Sequence, residues 1–271
     1  MRSIEEPKPS TVGTFDSVRQ RPRHLLLTPK SELMELLVSL TQTEAPGILS
    51  TATLSPQQAA ELRIRLTQPP TVRRPLHPLL ARSTVIAQRS VDSYQRKNQV
   101  VAELGDWARD QRVADRHAAA LEQAVDEMLL NALYSAPRDA QGHAKYAELS
   151  APERARHQAP PTEQALVRFG CDAHRLVVAV RDPFGALQVG TVLRYLLHCA
   201  QSQQQRKNPL ETKTSGAGVG LFLIATSASE LIFRLHPRRC TELVFCLYRD
   251  RPRPLRALLF DTSPDPDSSA S

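Results

Sequence analysis

Three glycines within five residues carry the first chemical signal in this chain. Gly216, Gly218 and Gly220 fall in the stretch Lys213-Thr214-Ser215-Gly216-Ala217-Gly218-Val219-Gly220-Leu221, and an apolar run through Ala225 follows at once. Glycine lets a ligand approach bare backbone amides. The first turn of a helix adds unpaired N–H groups and the positive end of the helix dipole. Together they predict an anion site of phosphate size. The stretch lacks the Gly-Lys-Ser/Thr ending of a P-loop and follows no evident strand, so neither a Walker site nor a dinucleotide-binding turn fits. Read alone, it is equally a turn before a core helix.

Two further groups extend the signal. Glu127 and Asn131 stand four residues apart in a helical pattern and therefore share one edge of a helix. A carboxylate there can act as a base and an amide oxygen can ligate a hard cation. Asp182 closes an apolar strand pattern and is followed by Pro183, Phe184 and Gly185. Each group has an ordinary reading as well: a solvated helix residue, a polar helix edge, a turn former.

The positioning elements follow from periodicity. Leu33, Leu36, Leu37 and Leu40 recur at helical spacing after a short apolar run, Leu25–Leu27. Ser55-Pro56-Gln57-Gln58 is a helix start with the makings of a capping box, for a helix to about Leu66. A strand is expected at Thr84–Ala87. Helices are expected from Tyr94 to about Gln111, from Arg116 to Tyr134 with Asp115 as cap, and from Gly190 to about Ser202. Ala165–Cys171 and Leu176–Arg181 read as strands around a turn, as do Glu230–Leu235 and Thr241–Tyr248. Residues 137–163 read as a loop or insertion, and 201–213 as a polar, mobile segment.

The order is Glu-x-x-x-Asn on a helix, Asp at a strand end, a mobile segment, then Gly-x-Gly-x-Gly-Leu. It resembles the GHKL superfamily of ATPases, which includes gyrase, the heat-shock ATPase, histidine kinases and MutL. The resemblance covers about residues 84–249, and its layout looks most like the anti-sigma-factor serine kinases. It implies an α/β fold, in the form of an α+β two-layer sandwich with a mixed, largely antiparallel sheet and helices on one face. A small helical N-terminal extension would be added. It implies ATP and Mg²⁺ as ligands. Glu127 matches the catalytic carboxylate and Asn131 the Mg²⁺ ligand, which also belongs to the cofactor site. Asp182 matches the residue that reads the adenine amine. Gly216, Gly218 and Gly220, with Val219 and Leu221, match the second glycine box, and Lys213 matches a cation near the terminal phosphate. The chain departs from the family at the first glycine box, where Asp182-Pro183-Phe184-Gly185-Ala186 stands for Asp-x-Gly-x-Gly. Phe184 is expected either to stack on and shape the adenine side or to narrow the pocket, and Gly185 is expected to belong to the cofactor site.

The expected organisation is a disordered stretch at 1–23, a small N-terminal region with a basic Pro/Arg linker at 24–83, the ATP-binding domain at 84–250 and a disordered tail at 251–271. With 271 residues, 41% hydrophobic and 23% charged, the chain has the composition of a soluble globular protein. The net charge of +7 permits an acidic partner, and nucleic acid is not indicated beyond that charge. No apolar run reaches the roughly 20 residues of a membrane span. The N-terminus lacks the apolar core of a signal peptide. Four cysteines without metal spacing read as buried thiols, so the expected location is the cytoplasm. The expected function is regulatory, through ATP and a protein partner in signalling or transcription control, with a serine/threonine kinase or ATPase activity and room for a homodimer. The alternatives are a non-catalytic, nucleotide-gated binding module and the catalytic domain of a histidine kinase. For the last, His24, His77 and His117 lack a following acid and the region before residue 79 is broken by prolines.

Overall fold

The computed structural model describes residues 24–68, 76–77, 79–81, 83–204, 217–249 and 254–262. Its frame is an eight-stranded sheet. In chain order the strands are β1 (Leu26–Thr28), β2 (Gly47–Ser50), β3 (Ala87–Val91), β4 (Ala165–Cys171), β5 (Arg175–Asp182), β6 (Glu230–His236), β7 (Cys240–Tyr248) and β8 (Ala257–Asp261). Across the sheet they run β1-β2-β8-β6-β7-β5-β4-β3. The β1–β2 and β6–β8 pairs are parallel and the other pairs antiparallel. The fold is thus α/β with a mixed, largely antiparallel sheet.

Side-chain pattern explains the strand positions. In β4, Ala165, Val167 and Phe169 are buried while Leu166 and Arg168 are half-exposed, the alternation of a strand near an edge. β5 carries Leu176-Val177-Val178-Ala179-Val180, buried residue after residue, as a central strand covered on both faces requires. The even and odd members then feed two separate cores. Leu176, Val178 and Val180 join Leu231, Phe233 and Phe245 under a helical layer. That layer comprises α1 (Leu33–Thr41), α3 (Tyr94–Asp110), α4 (Asp115–Leu130), α6 (Val189–Gln204) and α7 (Ala217–Ser227). Val177, Ala179, Ile232, Val244 and Leu259 face the other way, against Leu62 and Leu66 of α2 (Pro56–Thr67) and against Leu76, Leu79 and Leu80.

The ends of the chain differ from the expected organisation. The N-terminal region is not a separate appendage: β1 and β2 extend the same sheet, and α2 covers the face opposite the main helical layer. The capping box of α2 is present, with Gln58 N–H on Ser55 Oγ at 3.2 Å and Ser55 N–H on Gln58 Oε1 at 3.0 Å. Part of the expected basic linker is core, because Leu76, Leu79 and Leu80 among the prolines are what the second face needs for cover. The expected tail contains β8, every residue of which is buried between β2 and β6. Residues 1–23 and 263–271, expected to be disordered, lie outside the described residues.

Candidate functional site

Three elements converge on the helical side of the sheet. α4 packs on α7 and on β5, and its continuation, the π-helical turn Asn131–Ser135, also packs on β5. α4 does not reach Tyr134 as an α-helix. The wider turn starts at Asn131, and such turns recur at functional sites because they re-aim side chains.

Glu127 and the glycine-rich stretch meet directly. A Cβ placed on Gly220 would lie 2.3 Å from Glu127 Oε2 and 3.1 Å from its Cδ, so the carboxylate rests in the space that glycine leaves and any larger residue would push it aside. Gly220 is the fourth residue of α7, one turn from the helix start, where the leading backbone N–H groups lack intrahelical partners. Burial, then the neighbouring Asp126 charge, raises the Glu127 pKa, and Lys97 opposes both. Asn131 sits one turn further along, with its Nδ2 buried and without a hydrogen-bond partner. An orphaned amide costs free energy unless a ligand completes it. Its two ends, a donor and a hard oxygen acceptor, fit a phosphate oxygen and Mg²⁺ respectively.

Asp182 ends β5 on the same face as Val178 and Val180, and so on the side of α4. It is 6% exposed. Its Oδ1 accepts from Phe184 N–H at 2.9 Å and Gly185 N–H at 3.2 Å. Burial pushes its pKa up to about 6 against the lowering effect of these amides and of Thr241. Thr241 faces Asp182 in the β5–β7 register, and its buried hydroxyl completes no hydrogen bond of normal geometry. No local pattern in the sequence marks Thr241. Only the pairing of β7 with β5 makes it a neighbour of Asp182.

The remaining expected residues divide. Gly185 has φ +61, and a Cβ there would lie 2.1 Å from His236 O and 2.8 Å from Arg238 N. The structure therefore explains this glycine by the β6–β7 turn stacked on it, without a ligand. Leu221 is buried in the helix-side core, Val219 and Phe184 are half-buried, and Gly218 lies within α7. Lys213 and Gly216 lie outside the described residues. Residues 201–204 of the segment expected to be mobile belong to α6, whose Val192, Leu196, Cys199 and Ala200 are buried.

No family model matches the chain, and no curated protein matches it. Among solved structures it is similar to a chain of the SiaB-SiaC complex from Pseudomonas aeruginosa, with a TM-score of 0.39 and 18% identity over 60% of this chain and 88% of that one. Among the described residues no helix is long and apolar enough to cross a membrane.

Proposed function

We propose that this chain binds Mg-ATP between α4, α7 and the end of β5, and transfers the terminal phosphoryl group to a serine or threonine hydroxyl of a regulatory protein partner. The observation that carries the reading is the contact of Glu127 with Gly220. It brings a half-buried carboxylate of raised proton affinity to the first turn of a glycine-opened helix, where phosphate would be held. Asp182, with Thr241 beside it, would accept from the adenine amine. The orphaned amide of Asn131 would meet Mg²⁺ and phosphate oxygen, and the metal would neutralise phosphate charge. The acceptor oxygen bonds to the terminal phosphorus as the bond to the bridging oxygen breaks. ADP departs, and the hydroxyl proton passes to Glu127. Water in place of the hydroxyl gives slow hydrolysis by the same route.

The test is a comparison of Glu127→Gln with the native chain. Calorimetry should show Mg-ATP affinity within about twofold, while turnover falls by about 10²–10⁴, the usual loss of a general base. Any phosphorylated partner should carry an acid-stable ester. Equal turnover in the two proteins would sink the kinase reading. The second reading is a nucleotide-gated binding module. The fixed Asp182–Gly185 loop favours it, since Gly185 is committed to the β6–β7 turn. It predicts that Mg-ATP alters partner affinity with no transfer.

A further inference from the structure

Among the described residues, Lys97 is the most deeply buried cation. It lies on α3 and is 2% exposed. Its ammonium bonds Asp126 Oδ1 on α4, and its Nζ stands 4.7 Å from the ring centroid of Tyr94. Lysine is almost never fully buried without a paired charge, and such a pair contributes little net stability against an apolar replacement. Nor is it the sole tie between α3 and α4. Gly105 lies directly against Glu122, and Arg109 pairs with Glu122 at 2.9 Å.

What sets Lys97 apart is its neighbour's neighbour. Asp126 and Glu127 are consecutive carboxylates near the C-terminal end of α4, where the helix dipole also disfavours negative charge. Left alone, they would repel each other and turn toward water. Lys97 engages the first, and its charge acts on the second. We propose that Lys97 is a positioning residue: through Asp126 it pins the turn of α4 that carries Glu127, and so holds the Glu127 carboxylate against Gly220 and the opening of α7. This rests on the phosphoryl-transfer reading. Lys97 touches Asp126 from α4 and Tyr94 from its own helix, and its charge reaches Glu127 without a direct contact.

The experiment measures Mg-ATP hydrolysis by the full chain, with kcat and KM taken separately, for the native protein, Lys97→Met, Asp126→Asn, Glu127→Gln and the Lys97→Met/Glu127→Gln pair. Lys97→Met should lower kcat about tenfold or more and leave KM within about twofold, because it disturbs the base and not the phosphate and adenine contacts. In the Glu127→Gln background the same change should cost almost nothing, since a positioning residue has no effect once its target is gone. A tether that merely held α3 to α4 would lower kcat equally in both backgrounds. Should Lys97→Met fail to fold, Asp126→Asn breaks the same charge pair at a side chain that is 35% exposed, and the same kcat loss is expected. Native kcat in both variants, or losses that multiply with Glu127→Gln, overturns the role of Lys97. Native hydrolysis equal to that of Glu127→Gln, or none at all, overturns the phosphoryl-transfer reading itself.

Discussion

Asp182 is where the chemistry of the site has a measurable cost. A carboxyl raised from 3.8 to about 6 in the fold makes the native state bind more protons than the unfolded chain between those values. Stability from this group is therefore complete below pH 4 and is lost as pH rises through about 6, by roughly 3 kcal/mol at neutral pH. Asp182→Asn should be more stable than the native chain above pH 7 and indistinguishable from it near pH 4, as chemical denaturation would show. Nucleotide should respond in the opposite sense. In the proposed site an adenine amine would donate to the ionised carboxylate, so native affinity for Mg-ATP should rise as pH passes from 5 to 7.5. Asp182→Asn should remove that rise and weaken binding about tenfold at pH 7.5, the worth of a charge-assisted hydrogen bond. Calorimetry at the two pH values checks both. An unchanged pH profile in the variant would take Asp182 out of the adenine site.

The elements show how far spacing reaches. Glu127 and Asn131 were legible as a pair because a helix of 3.6 residues per turn puts them on one edge. β5 was legible because its apolar run is unbroken, and α2 because Ser55 and Gln58 cap it. Three features were not. The π turn at Asn131 depends on how α4 packs on β5, which no local signal encodes. The pairing of Thr241 with Asp182 is a register between strands far apart in sequence. Gly185 resembles a ligand-binding glycine in sequence, yet the φ of +61 and the carbonyl of His236 are what require it. That last point is testable at the level of the turn. Gly185→Ala adds a Cβ to a left-handed backbone 2.1 Å from a carbonyl oxygen. It should destabilise the fold by about 1–3 kcal/mol, seen as a lowered denaturation midpoint. A midpoint unchanged in Gly185→Ala would show that the loop and the β6–β7 turn are not locked together as described.

At the scale of the whole molecule, the sheet makes one unit out of segments that read separately. β8 lies between β2 and β6, so the N-terminal strands reach the rest of the sheet only through residues near the C-terminal end. Its Leu258 and Phe260 enter the core under the helical layer, with Phe260 stacked on Phe233 at a centroid distance of 5.2 Å. Its Ala257 and Leu259 enter the core beneath α2. Both cores therefore lose side chains if β8 is removed, and β1 and β2 lose their hydrogen-bonded link to the rest of the sheet. The same loss uncovers one edge of β6, whose backbone groups then lack partners. Truncation after Tyr248 should thus do more than trim a tail. The product should aggregate or unfold at the temperature where the full chain is native, and it should lose Mg-ATP binding, although no proposed ligand contact lies beyond Thr241. Circular dichroism and size-exclusion chromatography of the truncated chain check this. A monomeric, cooperatively folding product that still bound Mg-ATP would show that β8 is dispensable to the fold, an appendage after all.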